Sequence, residues 1–306
     1  MNNNKLDIYE EDEINFYDFI HALWSSKLLI FMTVLIFAIG SVLYSLSIPN
    51  KFTSSSTLIL ANDGGGAIKS SSSMDMIGSI TGINLSGSGS SKSDLVIATV
   101  SSRDFLRHLL IFENIKPTLA AFKSYDKTTK EIIFNENIYN AKKQVFTEDL
   151  SKLPTFQKIY NTYSSILSLS KTKSGYIQIS IHHESPVFAY NFLSLILKEL
   201  NTLSRTKDLI ESEDSLEYLY AEFAKTKQIE IKDSINQLIL SELRKQMFAE
   251  VRTNYLIDPL DKPFLPELKS SPNRLRICIL STILGFFIGI LISLVRYFGF
   301  KKNIQS

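Results

Sequence analysis

VFAYNFLSLILKELNTLSRTKDLIESEDSLEYLYAEFAKTKQIEIKDSINQLILSELRKQMFAEVRTNYLID, Val187 to Asp258, is a run of 72 residues with neither proline nor glycine. As a single helix rising 1.5 Å per residue it would reach about 108 Å, far beyond the width of a compact domain. Thr202, Ser204, Thr206, Ser212 and Ser215 cluster in its first half, and Asp214 followed three residues on by Glu217 spells a restart cap. Further along, Ile231, Ile235, Leu238, Leu243, Met247, Val251 and Tyr255 recur at near-helical spacing, with Lys232, Asp233, Glu242 and Arg244 between them. Such an amphipathic stripe packs on another helix, in the same subunit or a neighbouring one. Three arrangements fit: one very long helix, a long helical hairpin standing out from a base, or two or three ordinary helices folded back on one another.

Outward from this stretch, two apolar runs bracket the chain. Leu28 to Ile48 holds 21 residues without a charge and Ile277 to Val295 holds 19. At helical rise these span about 32 and 28 Å, against a hydrocarbon core of ~30 Å. A charge at the centre of either would cost at least ~2.5 kcal/mol, so both read as transmembrane helices. The first is too long for a signal-peptide core and follows acidic Glu10, Glu11, Asp12 and Glu13, so it reads as an uncleaved anchor. Two spans divide the chain into a tail at 1–27, a span at 28–48, a loop at 49–276, a span at 277–295 and a tail at 296–306. Lys5, Lys27, Arg296, Lys301 and Lys302 on the short tails favour cytoplasmic termini, with residues 49–276 on the far side of the membrane. That loop carries 28 basic against 25 acidic residues, with no basic block, so it offers no footprint for nucleic acid. The single cysteine, Cys278, lies in the second span, and the loop therefore relies on packing or association rather than disulfides.

In chain order, Ile14, Tyr17, Phe19, Ile20, Leu23 and Trp24 make the tail amphipathic as it nears the membrane, with Trp24 and Lys27 suited to the interface. Lys51 to Ala61 reads as a strand. Asn62 to Ser93, with Gly64-Gly65-Gly66 and serine runs around the apolar patch Met76 to Ile83, reads as a flexible segment; it lacks the Walker spelling of a phosphate loop. A helix follows from Asp94 to Leu110 with a second cap at Ser102. After a short strand signal at Ile132 to Phe134, a helix opens near Pro154 and runs to about Thr162. Ile166 to Ser170 and Tyr176 to His182 read as paired strands: Ile177, Ile179 and Ile181 alternate with Gln178, Ser180 and His182. Ser185 then caps and Pro186 opens the long stretch. The strands at 51–61 and 176–182 share one small sheet. The loop is thus α+β, a sheet-and-helix base near the membrane followed by the long helical element. Beyond Asp258, Pro259, Pro263, Pro266 and Pro272 require extended chain. In the second span, Ser281, Gly285, Gly289 and Ser293 recur every four residues and form a small-residue face that lets another helix approach closely.

Catalytic groups are scarce. His182-His183-Glu184 is the one cluster with metal-ligand chemistry, but neighbours on a strand face opposite ways and His21 and His108 are remote in sequence. No spacing isolates a pair of carboxylates, and no nucleotide-binding frame occurs. No cofactor is expected.

Taken in order, several pieces resemble the Wzz chain-length determinant family of polysaccharide co-polymerases: Asp12-Glu13-Ile14, Trp24 and Lys27, and Lys51-Phe52-Thr53 at the front; Ser102-Arg103-Asp104-Phe105-Leu106, Lys173-Ser174-Gly175-Tyr176-Ile177 and Glu184-Ser185-Pro186 in the middle; Ala249-Glu250-Val251-Arg252, Asp258-Pro259 and Ser271-Pro272-Asn273-Arg274 late, then Gly285 and Gly289. The resemblance covers nearly the whole chain, although Asp261-Lys262-Pro263-Phe264 departs from the family's spelling. It implies a periplasmic α/β base with a long protruding helix, assembled as a homo-oligomeric ring in the bacterial inner membrane. It implies a regulator of O-antigen or related polymer length, acting with the O-antigen polymerase, with the growing polysaccharide as a second candidate partner, and performing no chemistry itself. The eleven residues after the second span contain no Walker motif, which sets the chain apart from the branch that carries a tyrosine autokinase. A two-span periplasmic sensor or adaptor of a polysaccharide export system is the alternative.

Overall fold

The computed structural model describes residues 23–61 and 89–304. The Gly64–Gly66 run, the Met76–Ile83 patch and the amphipathic positions before Leu23 lie outside the described residues. The chain divides into two compact units, one ending at Asn50 and resuming at Ser270, the other Lys51–Lys269.

The first unit contains α1 (Lys27–Ser47) and, at the far end of the sequence, the 31-residue helix Arg274–Ile304. Both are long and apolar enough to cross a membrane. They run antiparallel: the carbonyl of Phe37 meets Ser281, and Asn50 meets Arg274. Leu28, Ile36 and Leu43 are each more than 60% exposed.

The second unit is built on a four-stranded antiparallel sheet formed by β1 (Phe52–Leu60), β6 (Leu167–Lys171), β7 (Ile177–His183) and β8 (Ile257–Asp261), in the order β6-β7-β1-β8. Thr53 pairs with His182 and Leu58 with Ile177, so alternation on both central strands sends Leu58, Ile177, Ile179 and Ile181 to one face, all at 1% exposure or less. Each such buried aliphatic contributes about 1.5–3 kcal/mol. Gly175, at φ 84°, makes the turn between β6 and β7.

Helices cover that face. α2 (Gly89–Ser101) and α3 (Arg103–Leu109) supply Val96, Val100, Phe105, Leu106 and Leu109. The expected second cap occurs: the Ser102 hydroxyl accepts the Phe105 N–H at 3.1 Å. Helix α2 opens at Gly89 rather than Asp94. Next come α4 (Ile115–Ala121), the small hairpin of β2 (Phe122–Asp126) and β3 (Glu131–Phe134), and a second of β4 (Tyr139–Asn140) and β5 (Val145–Phe146). Helix α5 (Phe156–Ile166) begins two residues later than a first-turn Pro154 requires, because Thr155 takes the cap and its hydroxyl accepts the Lys158 N–H. Tyr163 of α5 is fully buried, donates to the Val100 carbonyl at 2.6 Å, and burial holds its phenol far above the usual range.

The quoted stretch forms a helical hairpin. α6 (Pro186–Lys225, 40 residues, about 60 Å) and α7 (Ile229–Val251, 23 residues) are joined by Thr226–Gln228. Ser185 caps α6 through the Phe188 N–H and Pro186 opens it. Its first four turns enter the core through Phe188, Phe192, Leu193, Ile196 and Leu200. Beyond Ser212 its buried side chains meet only α7, so the element protrudes from the base. No restart occurs at Asp214. Hydroxyls that could have capped donate instead to carbonyls four residues back, Thr202 to Lys198 and Ser215 to Glu211, which absorbs them into the helix. The final helix, Arg274–Ile304, is α8.

Candidate functional site

The small-residue face of α8 meets α1 of the same chain. Ser281 Oγ donates to the Phe37 carbonyl at 3.2 Å. A Cβ on Gly285 would lie 2.7 Å from Phe37 Cβ, and one on Gly289 would meet the Thr33 hydroxyl and come within 3.3 Å of Ile30 Cα. Ser293 is fully buried, and Ser41 and Ser45 are nearly so on the facing helix. Backbones approach this closely only where side chains are absent or short, which is why glycine and serine occupy these positions.

The hairpin holds itself together differently along its length. Near the tip, Leu216 packs with Ile235 and Ile239, flanked by Leu219, Phe223 and Leu243. Closer to the base the contacts are polar: Ser212 Oγ donates to the Glu242 carbonyl (3.2 Å) and Lys245 pairs with Asp208 (3.8 Å). The stripe Ile231, Ile235, Leu238, Leu243, Met247, Val251 therefore divides. Ile235 and Leu243 turn towards α6, while Ile231, Leu238, Met247 and Val251 are exposed, Val251 at 81%. The 3.6-residue repeat drifts round the helix over five turns, so one nominal stripe contributes to two faces.

A polar clamp, which the sequence does not advertise, returns the hairpin to the base. Asn201, in the middle of α6 and buried, accepts the N–H groups of Leu256 (2.8 Å) and Ile257 (2.9 Å) and donates to the Ile257 carbonyl (3.0 Å). One turn on, Arg205 donates to the carbonyls of Arg252 and Thr253, and Tyr255 donates to Asp208 at 2.7 Å. These contacts set the start of β8 against β1. Pro259, which cannot donate to a ladder, is accommodated because β8 is the edge strand.

His182 and His183 point to opposite faces. Nδ1 of His182 is 2.7 Å from the Thr53 hydroxyl. His183 is buried between the Phe122 and Phe188 rings (4.5 and 4.6 Å), and its Nδ1 accepts the Ser185 N–H at 3.0 Å. Among the described residues no three His, Cys, Asp or Glu side chains converge as metal ligands would. Burial lowers the His183 imidazole to about 4. Because the unfolded chain protonates near pH 6.5 and the folded one near 4, stability is complete above about 6.5 and falls as pH drops through that window, by about 3 kcal/mol at most. Denaturant midpoints at pH 7.5 and 4.5 should show a shallower fall in His183→Gln than in the unaltered chain. His108 Nε2 also meets the buried Glu199 carboxylate at 2.8 Å, tying α3 to α6.

What these surfaces do is hold helices and strands to one another. The family model that matches the sequence is described as Wzz, chain length determinant protein, and covers residues 12–111. No curated protein matches. Among solved structures, a full-length bacterial polysaccharide co-polymerase aligns over 92% of this chain and 97% of its own, at 12% identity and a TM-score of 0.37. On the match across residues 12–111, the family that this chain resembles is the Wzz chain length determinant family.

Proposed function

We propose that the protein is a non-catalytic regulator of the chain length of O-antigen or a related surface polysaccharide, working beside a Wzy-type polymerase in the bacterial inner membrane. The observation that carries this reading is the chain length determinant match over residues 12–111. Support comes from the two apolar helices, one near each end of the sequence. In this reading residues 49–276 are periplasmic, both termini are cytoplasmic, and several copies form a ring. The exposed Ile231, Leu238, Met247 and Val251 of α7 supply apolar surface for contacts between neighbouring hairpins. A ring of this kind biases when a polymer stops growing; it forms no glycosidic bond.

Two experiments test it. A periplasm-only reporter fused at Ser88 should be active and one fused after Ser306 silent, and the reverse pattern refutes the topology. Serine at Leu238, Met247 or Val251 should shift the polysaccharide length band on a gel in graded steps, while His182→Ala leaves it in place. If all three serine variants give the unaltered band, this face of α7 has no part in length control.

A further inference from the structure

At one end of the span pair, Trp24 and Lys27, with Ile30, Phe31, Val34 and Phe286, border an open groove of ≈490 Å³. Lys27 is its only charged wall residue. Among the described residues Lys27 has no carboxylate within ion-pair distance, and its ammonium lies 6.0 Å from the centre of the Trp24 ring, which is 73% exposed. A second groove, towards the other end and lined by Phe37, Gly40, Tyr44 and Ile277, has a similar ≈460 Å³ and no charged residue. From Lys27, the first residue of α1, to Val34 the helix rises about 10 Å, which fits within the ~15 Å of one leaflet of a ~30 Å hydrocarbon core. The first groove thus has apolar walls that run into one leaflet and, among the described residues, a cation with no carboxylate partner where lipid head groups begin.

We propose that this groove binds one anionic phospholipid, its acyl chain along Ile30, Phe31, Val34 and Phe286 and its phosphate on the Lys27 ammonium. The proposal rests on the reading of α1 and α8 as membrane spans. A lysine at this level can extend along its own methylenes to a phosphate while its stem stays apolar. A zwitterionic lipid fills the groove as well but brings a second cation beside Lys27, so the head group decides.

Trp24 is the only tryptophan in the chain, so its fluorescence reports on this groove alone. The full chain, reconstituted in phosphatidylcholine vesicles, is titrated with chain-brominated phosphatidylglycerol or chain-brominated phosphatidylcholine. Half-maximal quenching should need about fivefold less of the anionic lipid, the advantage expected of one lysine near an anionic head group. Lys27→Gln should remove the preference and Lys27→Arg retain it. Equal quenching by both lipids in the unaltered chain overturns the site and leaves the spanning reading intact, and a preference that survives Lys27→Gln also overturns it. Trp24 shielded from both lipids, with the reporter topology intact, means that protein fills the groove, a second copy or the residues before Leu23, and this too overturns the proposal. Shielding together with a failed topology overturns the spanning reading.

Discussion

Replacing Asn201 by leucine should destabilise the folded chain by about 3–5 kcal/mol, because three backbone groups lose their partner at once and each buried orphan costs about 1–3 kcal/mol. Leucine has nearly the shape of asparagine and no donor or acceptor. The N–H groups of Leu256 and Ile257 and the carbonyl of Ile257 would remain at the buried junction of α6 and β8. Asn201→Asp should cost less, since its carboxylate still accepts both N–H groups. Urea midpoints of the purified chain in mild detergent, followed by helical circular dichroism, measure the difference. A shift below about 1 kcal/mol for Asn201→Leu, against the sum expected from the lost bonds, would mean that water or a rearranged neighbour replaces the clamp.

Changing Gly285 and Gly289 together to leucine should separate the two spans. Each new side chain begins with a Cβ already too close to α1, at 2.7 Å from Phe37 Cβ for Gly285. Overpacking of this kind costs about 1–3 kcal/mol per site. Cysteines introduced at Phe37 and Ser281, with Cys278→Ser to remove the native thiol, should cross-link readily in the glycine background and poorly in the double-leucine one. Undiminished cross-linking in the double mutant would show that α1 yields without cost. The sequence alone presents this face as a seam for another helix; the geometry assigns it to the chain's own first span.

Where local chemistry decides the structure, the sequence was readable. The alternation at Ile177, Ile179 and Ile181 marks a strand with one buried face, and that is β7. Ser102, Ser185 and Pro186 mark helix starts because a hydroxyl that satisfies orphan N–H groups, or a residue with none to satisfy, has few better places. Long-range effects were hidden. Thr226–Gln228 breaks the hairpin without glycine or proline; packing of Leu216 on Ile235 and Ile239, which no local pattern encodes, determines where the chain turns back. Strand β8 carries Pro259 and looks like coil until β1 and Asn201 capture it. Of the two short hairpins between residues 122 and 146, the first shows in the strand signal at Ile132 to Phe134, which is β3, whereas β4 and β5 of the second are only two residues long, too brief for any periodicity to register. Asn201 itself is one asparagine inside a helix, a residue type that sequence alone consigns to the surface.

The central claim is that the protein sets polymer length and makes no bond. Its most direct test is a gel profile of surface polysaccharide from cells with the gene deleted, alongside cells carrying it on a plasmid. The account predicts that deletion leaves polymer present and replaces the preferred length band with a distribution skewed to short chains, and that the plasmid restores the band. Complete loss of polymer on deletion, restored by the unaltered gene but not by a His182→Ala, His183→Ala version that still folds, would contradict it and point to an enzyme.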